Sequence, residues 1–173
     1  MEQIIYFWNR LYYGMYDCNK RREIFMYKVF VHPLIRSLYN LLHKTKVSKQ
    51  RDKTNFNKAI GALSNPIIGT ALMIADILMI TFTALLTWTL INFVSLLLPN
   101  VSLLGVDKIT FVIISAIPVL TINYFFIWRK KRYLDYFEIF QNSSKKRNTI
   151  WCFVSMICFV LAWVLFIFSL CIM

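Results

Sequence analysis

The chain has 173 residues, of which 58% are hydrophobic and 17% aromatic, whereas soluble domains are nearer half apolar. The formal net charge is +12, which in a soluble protein would suggest nucleic acid binding. The sequence has no zinc-finger spacing and no RNA-binding aromatic motif, and Lys and Arg beside apolar spans also fix membrane topology. We therefore expect a membrane protein whose partners are anionic lipid headgroups, with no nucleic acid.

Residue types that carry out catalysis or bind metals are sparse in this chain. It has 8 acidic residues, 2 histidines and 4 cysteines, and no two cysteines form a Cys-x-x-Cys pair. Nucleophile elbows, Gly-rich phosphate loops and His-Glu-x-x-His motifs are absent from the sequence. We therefore expect a non-enzymatic protein with no catalytic residues, no metal site and no cofactor.

Residues 1–42 predict cytoplasmic amphipathic helices. In residues 2–17 the apolar side chains recur at helical spacing, at Ile4, Trp8, Leu11 and Met15. Gly14 weakens this helix. The aromatic content of the apolar face favours a helix that lies in the membrane interface. Packing of the same face against the rest of the protein is the alternative.

Two breaks are predicted within this N-terminal region. One is at the basic run KRRE of residues 20–23, and the other is at His32-Pro33, because proline disfavours helix in the residue before it. A second amphipathic face follows, formed by Leu34, Ile35, Leu38, Leu41 and Leu42. A fourth span over residues 24–42 is the alternative, which the charged residues spread along that segment disfavour.

Residues 43–66 predict a polybasic linker, in which many Lys and Arg residues accompany a single acid, Asp52. Each such charge contributes about 1 kcal/mol at an anionic surface. We therefore expect contacts with lipid headgroups from Lys44, Lys46, Lys49, Arg51 and Lys53. A solvated segment that keeps this end of the chain in the cytoplasm is an alternative that is compatible with the first.

Residues 67–173 predict a transmembrane domain of three helices, at about 67–98, 109–128 and 149–172. About 20 apolar residues cross the hydrocarbon core of a bilayer, and the first segment exceeds that length. Residues 129–148 are predicted to form the loop between the second and third spans. The predicted fold class is therefore all-α, a polytopic integral membrane protein preceded by amphipathic interfacial helices.

The distribution of positive charge predicts the orientation. Twelve of the 20 Lys and Arg precede residue 67, seven lie in residues 129–147, and one, Lys108, lies between the first two spans. Because Lys and Arg concentrate on the cytoplasmic side, we expect the N-terminus and the loop in the cytoplasm and the C-terminus outside. The residues of this loop expected to contact headgroups are Arg129, Lys130, Lys131 and Arg132.

Asp76 is the one acidic residue within a long apolar run, and Gly69, Thr83 and Thr87 share its predicted helical face. Acidic residues inside spans mark ion or proton pathways, so Asp76, Thr83 and Thr87 form a candidate intramembrane polar site. The alternative is an interfacial Asp that pairs with a nearby Lys or Arg, or that stabilises the first turns of its helix. The sequence leaves the depth of Asp76 open.

Small residues predict where helices pack closely, because they let backbones approach one another within lipid. In the third span these are Ser155, Cys158, Ala162 and Ser169, and Gly69 is the corresponding residue of the first segment. This face serves either packing within one chain or the association of several copies.

The segment RYLDYFEIF of residues 132–140 is followed by a basic KKR and a last apolar span, behind a Tyr-rich N-terminus and a pair of helices. This arrangement resembles a loose class of small, uncharacterised, Bacteroidetes-like bacterial multi-pass membrane proteins. The resemblance implies a bacterial inner membrane and three or more spans. It carries over no function and no functional residue.

Composition and pattern fit three kinds of function. We favour an accessory protein that binds a membrane protein partner. One alternative is an oligomeric pore, toxin-like or a defence effector that perturbs the membrane, and another is an immunity protein against a membrane-targeted toxin. Neighbouring genes would separate these, since a toxin gene favours the immunity protein and a sensor or nuclease gene favours the effector.

Overall fold

The computed structural model describes residues 2–43, 49–97 and 108–172, and within these residues it contains helices and no β-strand. The prediction of an all-α fold is confirmed. Three of the described helical segments are long and apolar enough to cross a membrane, namely Thr70–Leu97, Val112–Gln141 and Lys145–Ile172. By length and composition, the predicted number of spans is also confirmed.

The helices follow one another closely along the chain. The α-helices of the described residues are α1 (Glu2–Met26), α2 (His32–His43), α3 (Lys49–Leu63), α4 (Thr70–Leu97), α5 (Lys108–Asn123), α6 (Arg132–Gln141) and α7 (Lys145–Ile172). The wider turns of a π-helix join α1 to α2 at Tyr27–Val31 and extend α5 at Tyr124–Trp128. A 3₁₀ turn at Arg129–Lys131 then leads into α6.

The two breaks predicted in the N-terminal region are wrong. Helix α1 continues through KRRE at residues 20–23, because Lys, Arg and Glu are good helix formers and a cluster of charge does not by itself end a helix. Before Pro33 the helix widens into the π-helical segment instead of ending. A wider turn accommodates the proline ring, which would otherwise clash with a carbonyl of the preceding turn.

Part of the region predicted as a linker is helical, since α3 covers Lys49–Leu63. Between α3 and α4 the chain makes a turn held by Asn65, whose Oδ1 accepts hydrogen bonds from the backbone N–H groups of Ile67 at 2.8 Å and Ile68 at 3.4 Å. Asparagine favours such turns because its side chain replaces a backbone acceptor.

Most of the loop predicted over residues 129–148 is helical as well. Lys130 and Lys131 adopt left-handed conformations, with φ of 56° and 54°, which are uncommon for residues with a side chain and interrupt a right-handed helix. Helix α6 follows directly, and α7 begins at Lys145. The non-helical connection between α6 and α7 is therefore only residues 142–144.

The chain divides into two compact units. The span unit comprises Met1–Met15 and Asp76–Met173, and the connecting unit comprises Tyr16–Ala75.

The core of the span unit is rich in aromatic side chains. Tyr12, Tyr13, Phe137 and Phe140 are all buried, and the ring of Tyr13 lies 5.0 Å from that of Phe137 and 5.5 Å from that of Phe140. Aromatic pairs at such distances contribute about 0.5–1.5 kcal/mol beyond the burial of their area. These contacts tie α1 to α6.

In the connecting unit, α3 packs antiparallel to the helix that runs through Tyr27 and α2. The ring of Tyr27 lies 5.7 Å from that of Phe56, and His32 Nε2 lies 3.0 Å from Asp52 Oδ1. Arg36 Nη1 approaches the second carboxylate oxygen of Asp52 at 3.5 Å. Tyr27 contacts Phe56, whereas His32 and Arg36, which come later in the chain, contact Asp52, which comes earlier in α3. The two helices therefore run in opposite directions.

Candidate functional site around Asp76

Asp76 lies in the second turn of α4 and is half-buried. Its Oδ1 atom accepts two hydrogen bonds, from the Tyr12 hydroxyl at 2.6 Å and from the Trp128 indole N–H at 3.1 Å. Intramolecular hydrogen bonds contribute about 0.5–1.5 kcal/mol each to stability. Asp76 therefore joins α4 to α1 and to the π-helical segment that extends α5.

Helix α1 presents Trp8 and Tyr12 on one face, because residues four apart are neighbours on a helix. The ring of Trp8 lies 5.8 Å from that of Phe82 and 5.9 Å from that of Phe126. Beside it, Asn9 Nδ2 donates to the Phe126 carbonyl at 2.8 Å. This carbonyl belongs to a π-helical segment near a helix end, where carbonyls lack intrahelical donors and need a partner from outside.

Arg10 is fully buried on the same helix. Its Nη2 donates to Asn148 Oδ1 at 2.8 Å, and Asn148 Nδ2 donates to the Phe140 carbonyl at 3.0 Å. The guanidinium carbon also lies 4.4 Å from the centre of the Phe140 ring, which is a cation–π distance. A buried cation is costly unless its surroundings compensate it. The Asn148 amide and the Phe140 ring supply part of that compensation.

Helix α1 approaches α7 closely at Gly14. A side-chain carbon placed on Gly14 would lie 2.7 Å from the Trp151 carbonyl oxygen and nearer still to Ser155 Oγ. The Ser155 hydroxyl donates to the Leu11 carbonyl at 3.0 Å. Gly14 weakens the helix as an isolated element, but in the folded chain it is the residue that lets the two backbones approach.

Residues 2–15 thus contact α4, the end of α5, α6 and α7. The sequence left open whether the aromatic face of this segment lies in the membrane interface or packs against protein. Around Trp8 and Tyr12 that face is covered by other parts of the span unit. Its position relative to a membrane stays a prediction.

The predicted polar site is brought together only in part. Thr83 is buried, and its Oγ1 accepts a hydrogen bond from Asn123 Nδ2 at 3.1 Å. Thr87 Oγ1 donates to the Thr83 carbonyl at 2.8 Å. Thr83 follows Asp76 by seven residues, which is about 10 Å along the helix. Asp76 contacts Tyr12 and Trp128, while Thr83 joins α4 to α5.

Gly69 lies in the turn before α4 rather than on its helical face. Its N–H donates to the Asn65 carbonyl at 2.9 Å, and a side-chain carbon on Gly69 would lie 2.5 Å from that same oxygen. Gly69 therefore serves the tight turn between α3 and α4, and it lies outside the helix that carries Asp76.

The small residues of α7 differ in burial. Ser155, Ala162 and Ser169 are buried, whereas Cys158 is half-buried. Ser169 Oγ accepts a hydrogen bond from Asn92 Nδ2 at 3.0 Å, which joins the ends of α7 and α4. Together with the contact of Ser155 with α1, this places small residues where α7 meets two other helices.

The basic residues predicted to contact headgroups lie at several places. Arg129, Lys130 and Lys131 are exposed, Arg132 is half-buried, and Lys53 is exposed on α3. Lys49 and Arg51 belong to α3, while Lys44 and Lys46 lie outside the described residues. Their contacts with lipid stay a prediction.

The sequence pattern did not predict Tyr12 and Trp128 as partners of Asp76, nor the pairing of Arg10 with Asn148. One signal was available, because the polar pair Asn9-Arg10 interrupts an aromatic helix, and polar residues in such surroundings need partners. Among the described residues, no three His, Cys, Asp or Glu side chains are grouped as metal ligands would be. The site orients one carboxylate and connects helices.

The fold and site define an all-helical protein with three segments of transmembrane length, which its N-terminal helix joins through buried polar contacts. Comparisons of the chain with family models, with curated proteins and with solved structures find no match.

Proposed function

We propose that the protein is a non-enzymatic accessory protein of the bacterial inner membrane that acts by binding a membrane protein partner. The observation that carries this proposal is that polar side chains of the spans bond to one another or to α1, in the groups Asp76–Tyr12–Trp128, Thr83–Asn123 and Asn92–Ser169. Hydrogen bonds between helices stabilise packing in lipid. A conduction path instead requires polar groups that line a water-filled route.

Helix α7 offers a surface for the partner. Only 11% of the most apolar stretch of α7 is buried within the protein, compared with 33% of the corresponding stretch of α4. Its exposed side chains include Phe153, Ile157, Val160, Val164 and Phe168. In a bilayer such a face contacts either lipid or another helix, and another helix adds close packing of side chains to the contact.

We expect a photoreactive phenylalanine analogue at Phe153 of the full chain to yield a discrete adduct with a different protein when intact cells are irradiated. The same analogue at the buried Phe137 is the control and should give no such adduct. An adduct of twice the mass of the chain would support the oligomeric pore instead. Adducts with lipid alone would contradict partner binding.

The proposed orientation has the N-terminus in the cytoplasm and the C-terminus outside, because 19 of the 20 Lys and Arg then lie on the cytoplasmic side. The contact of Asp76 with Trp128 supports the placement of Asp76 at the cytoplasmic interface. Arg129 directly follows Trp128, and tryptophan is common at membrane interfaces. An interfacial carboxylate avoids the cost of a charge at mid-span.

The connecting unit carries an apolar strip of exposed side chains, formed by Phe25, Met26, Val29, Phe30, Leu34, Ile35, Leu38 and Leu41. On the same helix, Tyr27 and His32 face α3, so the strip lies on other faces. Contiguous exposed apolar surface on a helix that also carries basic residues favours the membrane interface. We therefore place the strip in the cytoplasmic leaflet.

Cysteine labelling tests the orientation and the strip in one experiment. In a chain whose native cysteines are replaced by serine, we expect a cysteine appended after Met173 to react with a membrane-impermeant maleimide in intact spheroplasts. Asn57→Cys should react only when the cytoplasm is opened, and Leu38→Cys only after detergent removes the lipid. Reaction of the appended cysteine from the cytoplasmic side would mean a fourth span. Equal reaction of Leu38→Cys and Asn57→Cys would place the strip in water.

Two variants of Asp76 separate an anchor from an ion path. We expect Asp76→Asn to match the wild type in melting temperature, because an amide oxygen still accepts hydrogen bonds from Tyr12 and Trp128. Asp76→Ala removes the acceptor of both hydrogen bonds and should lose about 1–3 kcal/mol of stability. Vesicles containing the wild-type chain should show no ion flux. If the wild type conducts and a folded Asp76→Asn variant does not, the pore is the correct function.

A further inference from the structure

The span unit contains a cleft of about 670 Å³ beside the first turns of α1 and of α6. It is lined by Glu2, Gln3, Ile5, Tyr6, Arg132 and Tyr136. Arg132 follows the end of the second span as the sequence predicts it, at residue 128, beyond the kink at Lys130 and Lys131. In the proposed orientation the cleft therefore lies at the cytoplasmic end of that predicted span, at the level of lipid headgroups.

Two opposite charges line this cleft without pairing. Neither Glu2 nor Arg132 forms an ion pair or a hydrogen bond with any residue that the structure describes. Between them lies open volume. A carboxylate and a guanidinium on the walls of one cleft match a ligand that itself carries both signs of charge.

The aromatic walls of the cleft add to this match, and a second guanidinium, outside the lining, contacts one of them. The rings of Tyr6 and Tyr136 are 6.1 Å apart and nearly perpendicular, and the Arg147 Nη2 atom lies 3.4 Å from the Tyr6 hydroxyl. Phosphate oxygens accept hydrogen bonds from guanidinium and phenol groups. Ammonium groups bind carboxylates and the faces of aromatic rings.

We propose that the cleft binds the headgroup of phosphatidylethanolamine, with the phosphate held by Arg132 and the ammonium by Glu2. A headgroup with the phosphate but no amine, such as that of phosphatidylglycerol, brings only negative charge to the Glu2 carboxylate and binds more weakly. The inference rests on the proposed membrane placement, and it adds a preference for a zwitterionic lipid at one defined site.

The test measures lipid binding by the full chain in detergent. Phosphatidylethanolamine and phosphatidylglycerol with identical short acyl chains are titrated separately, and bound lipid is counted by native mass spectrometry. We expect the wild type to bind phosphatidylethanolamine about tenfold more tightly, because its ammonium attracts the Glu2 carboxylate, which otherwise only repels the phosphate. Equal affinity for the two lipids would overturn the proposal.

Two variants assign the roles within the cleft. Glu2→Gln should weaken phosphatidylethanolamine binding about tenfold and leave phosphatidylglycerol binding unchanged or tighter. Arg132→Gln should weaken both lipids. The matched controls are Glu138→Gln and Lys146→Gln, which make the same changes of charge at exposed residues outside the cleft and should change neither affinity. If the control variants changed the lipid affinities as much as the cleft variants do, the effect would be one of overall charge, and the proposed binding site would be contradicted.

One further variant and one further ligand complete the test. If Arg132→Gln does not fold, Gln3→Glu adds a negative charge to the cleft at an exposed residue and should weaken phosphatidylglycerol more than phosphatidylethanolamine; the reverse order would contradict the proposal. Free phosphoethanolamine that binds as tightly as the lipid would overturn a lipid as the source. Because these titrations need no bilayer, they fail or succeed independently of cysteine labelling, which tests the membrane placement.

Discussion

Arg10→Ala will lower the free energy of unfolding by about 3–5 kcal/mol, because it empties a large buried volume and leaves Asn148 Oδ1 without its donor. Arg10→Met keeps most of the side-chain volume and removes a buried charge. Replacing a buried charge by an apolar side chain of similar volume changes the stability of a protein little. We therefore expect the free energy of unfolding of the methionine variant to exceed that of the alanine variant by at least about 2 kcal/mol. Thermal unfolding of the full chain in detergent measures both.

Arg21→Ala is the matched control for this prediction. Arg21 lies on the same helix, where it pairs with Asp17 at 2.7 Å in an exposed contact, and exposed pairs at this spacing contribute about 0.3–0.5 kcal/mol. Its melting temperature should therefore stay close to that of the wild type. An Arg10→Ala variant as stable as Arg21→Ala would show that the buried contacts of Arg10 do not hold the span unit together.

Gly14→Leu will destabilise the protein by about 3 kcal/mol, because even the first side-chain carbon meets the Trp151 backbone and Ser155. A backbone oxygen cannot rotate away, so α1 and α7 must separate. Gly14→Ala should also destabilise the chain, although alanine is the better helix former by about 1 kcal/mol. The measurement is again the melting temperature in detergent.

Gly61→Ala tests the same substitution where space is open. A side-chain carbon on Gly61, in α3, meets nothing within 4 Å. Alanine should therefore stabilise the helix there by about 0.5–1 kcal/mol. Changes of opposite sign at Gly14 and Gly61 would establish the close approach of α1 and α7. Stabilisation at both positions would contradict it.

The three spans follow from local properties of the sequence. Hydrophobicity summed over about 20 residues depends on composition and not on neighbours in space, so α4 and α7 were predictable to within four residues at each end. Helix boundaries that depend on turn geometry were less predictable. The π-helical turn before Pro33 and the left-handed Lys130 and Lys131 are local conformations that composition does not reveal.

What the sequence determines by itself is therefore the helical class, the number of apolar spans and the charge asymmetry of their flanks. The tertiary structure alone decides the partners of Asp76 and Arg10, because Tyr12, Trp128 and Asn148 are 52 to 138 residues away along the chain. It likewise turns Gly14 from a weak point of one helix into a contact between two. Periodicity indicates which face of a helix is apolar, but which surface covers that face depends on how the helices pack.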